Sequence, residues 1–319
     1  VLDSCNALQP DRTLIVIGHE AQQIKTALID DEGIEFVLQQ PQNGTGHAVQ
    51  KLQEPLSNFK GDLLVLNGDV PLLMPETIQR LLDEHRASQA AVTVLTTKID
   101  DPKGYGRVFA DPKGKINGII EDRDCSNDQL SNNLINAGVY CFNWEKLQAV
   151  LPNLSNENHQ KEFYITDTIA MLPLAMHVQV DDYKEVSGIN NRYQLSECEA
   201  SLQERLRNYW MKEGVSFRDP QSCTINEDCS FGIDVTIEPQ THLKGHCQIG
   251  NKCNIGPGSV LEDVTLGDNI TVIHSVITRA TIKDNVEIGP FSHIRPDTNI
   301  SSDCKIGNFV EIKRSEISE

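Results

Sequence analysis

The chain has 319 residues, 39% apolar and 23% charged, a balance that excludes a disordered or collagen-like polymer and leaves room for about two domains with separate cores. Its 46 Asp and Glu against 28 Lys and Arg give a formal charge of −18, which argues against a general nucleic-acid binder, because phosphate contact needs clustered cations. No run approaches the roughly 20 apolar residues of a membrane span, the first residues lack a secretory signal, and the nine cysteines include no CxxC, so a cytoplasmic, reduced protein without zinc-site spacing is expected.

From Thr13 to about Asn190, short β-rich runs alternate with helical stretches. TLIVIG (13–18) reads as a buried strand and EAQQIKTAL as a helix. EFVLQ reads as a strand and HAVQKLQEPL as a helix. DLLVLN (62–67), a helix from about Pro75, and AAVTVLTTKI (90–99) follow. Strands separated by helices imply parallel βαβ units and a doubly wound, Rossmann-like α/β domain. RVFADPKGKINGIIED places two β runs around a DPKG turn, a hairpin excursion, and LINAGVYCF (134–142) is a further buried strand. Leu195, Cys198, Leu202, Leu206 and Tyr209 then mark one face of a connector helix, ended by Gly214.

The last third repeats itself. An aliphatic or aromatic residue recurs every six positions at Ile225, Phe231, Ile237, Leu243, Ile249, Ile255 and Leu261. After adjustments at Leu266, Val272 and Ile277, the step resumes from Ile282 to Ile312. Four positions after each key residue sits mostly a small or β-branched side chain. This is the hexapeptide pattern of a parallel β-helix, and it accounts for five cysteines (Cys223, Cys229, Cys247, Cys253 and Cys304) as packing residues.

Few residues outside these patterns could carry chemistry. Asp69, at the carboxyl end of DLLVLNG, stands where open α/β sheets bind ligands and could hold Mg²⁺, or could cap a turn. Gly44-Thr45-Gly46 lets backbone approach a ligand, though the third glycine of a dinucleotide fingerprint is missing; His47 reads as structural. Gly106, Glu121 and Asn136 fall at a Gly-rich turn, a hairpin end and the middle of an apolar strand. A buried Asn136 must be hydrogen-bonded, to protein or to a ligand. Asn190 could cap the connector helix.

Taken together, GTGHA, NGDVPLL, PKGYGRV, GIIED, LINAGVY, EFYITD, GINNR, RDP, IGPFSHIRP and IGNFVEIK resemble, in order, the bifunctional bacterial N-acetylglucosamine-1-phosphate uridyltransferase/glucosamine-1-phosphate acetyltransferase family. The resemblance implies a uridyltransferase domain over 1–190, a connector helix over 191–217 and a left-handed β-helix acetyltransferase domain over 218–319. It implies that Gln39, Gly44 and Thr45 read the uracil of UTP, and that Asp69 and Asn190 hold the catalytic Mg²⁺. Gly106, Glu121, Asn136, Tyr164 and Thr166 would hold N-acetylglucosamine-1-phosphate, and Arg295 and Lys313 the phosphate of glucosamine-1-phosphate. Acetyl-CoA would be the acetyl donor and a homotrimer the assembly. In-line uridyl transfer needs positioning and charge neutralisation, in keeping with the lack of a Ser-His-Asp or Cys-His arrangement.

The chain departs from the family pattern at Asn67, where Tyr is frequent, and at Ala137, where Thr often follows Asn. The family's Gly-rich triphosphate loop and the acetyltransferase His are expected to lie outside Val1–Glu319, which would make this a poorly active piece of a longer protein. Two alternatives share the pattern: another sugar-1-phosphate nucleotidyltransferase with a β-helix tail, and a catalytically inactive trimeric assembly module.

Overall fold

A computed structural model describes residues 1–29, 31 and 33–318, so Glu319 of the expected C-terminal domain lies outside the described residues. It contains two compact units, Val1–Leu195 and Ser196–Glu319.

In the first unit, α1 (Leu2–Asn6) precedes β1 (Thr13–Ile17), α2 (Ala21–Ala27) and β2 (Ile34–Leu38). β1 and β2 pair in parallel, with Ile15 opposite Phe36. α3 (Thr45–Gln50) starts earlier than the HAVQ run suggests, and beyond it the chain tightens into i,i+3 turns. Then come β3 (Asp62–Val65), α4 (Pro75–Ser88), β4 (Val92–Lys98), β5 (Arg107–Ala110), β6 (Ile116–Ile120), β7 (Leu134–Asn143), α5 (Trp144–Val150), α6 (Thr168–Met171) and β8 (Ala175–Val180). One sheet runs β6-β5-β7-β4-β8, with β3 also against β7.

The expected parallel pairing holds for β1–β2 and β4–β8, but β7 lies antiparallel to both β3 and β4. The cause is the β5–β6 hairpin. It replaces the crossover helix that a parallel return requires, so the chain re-enters the sheet from the opposite end. Both sheet faces are covered. Tyr140 and Phe142 join one core with Val92 and Val94, while Val139 and Cys141 join a second with Leu95, Ile78 and Leu81. That is the period-two alternation of a strand buried on both sides.

β7 is also broken. Val94 faces Tyr140 and Thr96 faces Asn136, so three residues, 137–139, stand opposite the single Leu95. Gly138 makes this bulge with a φ of +72°, and the Asn67 side chain packs where a Cβ would stand.

α7 (Arg192–Lys212) ends as expected at Gly214. Val215 N–H donates to the Trp210 carbonyl at 2.9 Å and Gly214 N–H to that of Met211 at 3.3 Å, the paired bonds of a Schellman turn. Leu195 and Tyr209, assigned to its apolar face, are instead more than half exposed. In the second unit the packing side of α7 is carried by buried Gln203 and by Trp210, whose ring meets Phe231 edge-on at 4.8 Å.

The rest of the second unit winds through three six-stranded parallel sheets. Ile225, Leu243, Leu261, Ile277, Ile294 and Ile312 stack in one register column. The coil from Leu243 to Leu261 takes eighteen residues and the next, to Ile277, sixteen; the six-residue step slips there because the corners shorten while the column stays aligned. Corner residues, among them Asp234, Lys252, Asn269 and Asn285, adopt the left-handed conformation with φ near +60°. Cys223, Cys229, Cys247, Cys253 and Cys304 are buried free thiols of the interior. Among the described residues no helix is long and apolar enough to cross a membrane.

Candidate active site

Gln39 leaves the end of β2, and its side chain turns back to donate from Nε2 to the Gly44 carbonyl at 2.9 Å, 3.3 Å from His47 Nδ1. Gly44 has a φ of +100°, and a Cβ there would meet the Phe163 carbonyl oxygen at 2.7 Å. Only glycine fits that crossing. Thr45 Oγ1 accepts the Ile165 N–H at 3.1 Å, and Gly46 N–H donates to the Phe163 carbonyl at 2.7 Å. These bonds tie GTGHA to EFYITD, more than a hundred residues apart. Burial, then the charge of Lys51, holds the His47 imidazolium below its ordinary range.

A second group gathers at the ends of β5, β6 and β7. Thr166 Oγ1 donates to Glu121 Oε1 at 2.9 Å, and a Cβ on Gly106 would stand 3.3 Å from Glu121 Oε2. The Gly106 carbonyl accepts the Asn136 N–H at 2.9 Å. Gly106, Glu121, Asn136 and Thr166, which lie far apart in sequence, thus converge. Tyr164 sits on the Thr166 segment, with its hydroxyl donating to Gln160 at 2.9 Å; burial pushes that phenol up to about 12. Burial also lifts the Glu121 carboxyl above its usual range, against the Thr166 bond that lowers it.

Asp69 and Asn190 are also neighbours. Ile189 N–H donates to the Asp69 carbonyl at 2.9 Å, and a Cβ on Gly188 would lie 3.0 Å from Asp69 Oδ2. The helix-capping alternative for Asn190 falls to Asn191, whose Oδ1 accepts the Gln194 N–H at 2.9 Å. Asp69 and Asn190 are both exposed and offer oxygen donors. Among the described residues no cluster of three or more His, Cys, Asp or Glu could hold a metal. One carboxylate and one amide oxygen suit a hard cation that takes its other ligands from phosphates and water. Burial raises the Tyr105 phenol and the Asp69 charge raises it further.

The partners of two further residues here are not legible in the sequence. Arg107 is buried, and its guanidinium donates to Asp122 Oδ1 at 2.9 Å and to the Tyr105 carbonyl. Tyr140, buried on β7, accepts from Asn136 Nδ2 at 2.6 Å. A lone cation in a hairpin and an aromatic in an apolar run carry no local signal of either partnership.

On the β-helix, His293 pairs with Glu311 and Ile294 with Ile312, so Arg295 and Lys313 occupy the next positions on neighbouring coils. Arg295 donates from Nη1 to Glu311 Oε1 at 2.8 Å. That bond holds the Glu311 carboxyl below its ordinary range, with help from His293 and Lys313. Glu311 was not distinguished by the sequence.

A nucleotidyl transferase family model matches residues 1–212, and a bacterial transferase hexapeptide model of six repeats matches residues 228–263 and 279–314. The Bifunctional protein GlmU of Prochlorococcus marinus (strain MIT 9313) is 60% identical over 319 residues, all of this chain and 72% of that protein. The one from Synechococcus sp. (strain CC9311) is 59% identical over 318 residues, 100% of this chain and 70% of that protein. That of Rippkaea orientalis (strain PCC 8801 / RF-1) is 49% identical over 319 residues, with the same two shares. With an α/β nucleotidyltransferase unit followed by a left-handed β-helix of hexapeptide repeats, the chain belongs to the bifunctional GlmU family, which makes UDP-N-acetylglucosamine by uridyl transfer and acetyl transfer.

Proposed function

We propose that the first unit transfers UMP from UTP to N-acetylglucosamine-1-phosphate in a Mg²⁺-dependent reaction, giving UDP-N-acetylglucosamine and pyrophosphate. The sugar phosphate oxygen attacks the α-phosphorus, one P–O bond forms, and the bond to the β-phosphate oxygen breaks. The observation that carries this reading is the meeting of Glu121, Thr166 and Gly106: the Thr166 hydroxyl donates to the Glu121 carboxylate, and Gly106 packs against the same carboxylate.

Gln39, Gly44 and Thr45 read the uracil, with the Gln39 amide held against Gly44. Gly106, Glu121, Asn136, Tyr164 and Thr166 hold the N-acetylated sugar. Asp69 and Asn190 are the protein ligands for Mg²⁺, which when bound supplies charge neutralisation at the phosphates. The chain's own contribution is to align the two substrates and to exclude water from the attacking oxygen.

In the second unit, Arg295 and Lys313 take the phosphate of glucosamine-1-phosphate, whose amine receives the acetyl group of acetyl-CoA. The functional divisions are 1–190 for uridyl transfer, 191–217 for the connector and 218–319 for the β-helix. The protein works in the cytoplasm as a homotrimer built through the β-helix.

Pyrophosphate release by the intact protein, measured over several nucleoside triphosphates and sugar phosphates with and without Mg²⁺, tests the reading. The pair UTP and N-acetylglucosamine-1-phosphate is expected to be fastest, and only with the metal. Preference for another triphosphate would select a different sugar nucleotidyltransferase.

A further inference from the structure

Asn136 and Tyr140 are four residues apart on one strand, a separation of about 13 Å in regular β structure. Here Asn136 Nδ2 lies 2.6 Å from the Tyr140 hydroxyl, across the 137–139 bulge that crowds three residues opposite the single Leu95. The other end of the same amide is fixed as well: Oδ1 accepts the Gly138 N–H at 3.0 Å. A backbone N–H can only donate, so the amide cannot be flipped, and Tyr140 must take its NH₂. Each end of the amide then keeps one bonding position: a second N–H and a second carbonyl lone pair. Tyr140 itself is locked, being 3% exposed and stacked on Phe142 with ring centroids 5.5 Å apart.

We propose that Tyr140 is a positioning residue. Its hydroxyl holds the Asn136 amide in the one orientation that offers a donor and an acceptor together to the acetamido group of the sugar, and so it sets the preference for an N-acetylated acceptor. The inference rests on the assignment of Asn136 to the sugar pocket made above. An acetamido group presents a carbonyl and an N–H, the complement of what Asn136 retains. A free amine, protonated at neutral pH, presents donors alone and cannot use both positions.

Tyr140→Phe removes one oxygen and keeps the ring, so the core packing survives. In the intact protein, this variant is expected to raise the KM for N-acetylglucosamine-1-phosphate about 5- to 10-fold, while kcat and the KM for UTP stay within about twofold, the scale of one lost orienting hydrogen bond. The ratio of kcat/KM for N-acetylglucosamine-1-phosphate over glucosamine-1-phosphate should fall by a similar factor. Adding Tyr140→Phe to Asn136→Ala should cost little more than Asn136→Ala alone, since the two act as one unit. Unchanged KM, or an equal loss for both sugar phosphates, overturns the proposal. Wild type that fails to use N-acetylglucosamine-1-phosphate rejects the pocket assignment instead. In that case a crystal structure of Tyr140→Phe still decides the contact: a rotated Asn136 amide supports it and an unmoved one rejects it.

Discussion

Gln203 completes the edge of the β-helix. Its side-chain carbonyl accepts the Ile225 N–H at 2.8 Å and its NH₂ donates to the Ile225 carbonyl at 2.8 Å, so an amide on α7 bonds the first strand of its sheet as a neighbouring strand would. One turn on, Arg207 donates to the Cys223 carbonyl at 3.0 Å. An open edge with unpaired backbone groups invites pairing with another chain, and here a helix covers it.

Gln203→Ala leaves the Ile225 N–H and carbonyl without these partners. It is expected to lower the stability of the second unit by about 2 kcal/mol, the cost of orphaned buried polar groups. Urea unfolding followed by the fluorescence of Trp210 measures this, and an unchanged midpoint would show that water replaces the amide.

Asp69→Asn keeps the shape and removes the charge. Uridyl transfer is expected to fall by at least ~10²-fold, because neutralising phosphate charge is the largest service a hard cation gives this chemistry. Acetyl transfer, assayed in the same preparation, should be unaffected. Near-normal uridyl transfer would reject Asp69 as a ligand.

Gly44→Ala asks a residue with a Cβ to hold a φ of +100° with Phe163 O at 2.7 Å. The loop must shift, and Gln39 with it, since Gln39 bonds the Gly44 carbonyl. A rise of about 10-fold or more in the KM for UTP is expected, with the KM for the sugar phosphate changed far less. Matched shifts in both would mean that the disturbance is not confined to the Gln39–Gly44 loop.

Glu121 is raised above its ordinary carboxyl value of 4.5, chiefly by burial. The folded state therefore holds this proton more tightly than the unfolded chain, and stability declines as pH rises from the ordinary value through the folded one. Glu121→Gln removes that decline. The variant should be more stable than wild type at pH 7 and no more stable at pH 4, while binding the sugar phosphate less well. Thermal melts at the two pH values check the sign, and a variant less stable at pH 7 would contradict it.

Arg295→Ala is expected to weaken acetyl transfer about 10-fold or more and to spare uridyl transfer, as Arg295 lies on the β-helix and pairs with Glu311 there. Equal damage to both reactions would dissolve the division of labour between the units.

The hexapeptide third was legible in the sequence almost residue by residue. Each coil repeats one local environment, so Ile225, Leu243 and Leu261 announce their shared column by spacing alone. The strands and helices of the first unit were legible for the same reason, through local periodicity. The direction of β7 was not, because it depends on the hairpin standing in for a crossover helix. Motif order brought Asp69, Glu121 and Thr166 forward as expected site residues, while the partnerships of Tyr140, Arg107 and Gln203 stayed hidden among apolar, cationic and helical neighbours. Composition, local periodicity and repeat thus determined two units, one α/β and one a β-helix. Tertiary structure decided which polar groups meet, since a bulge that brings Asn136 to Tyr140, or a helix that brings Gln203 to Ile225, joins positions that no local pattern links.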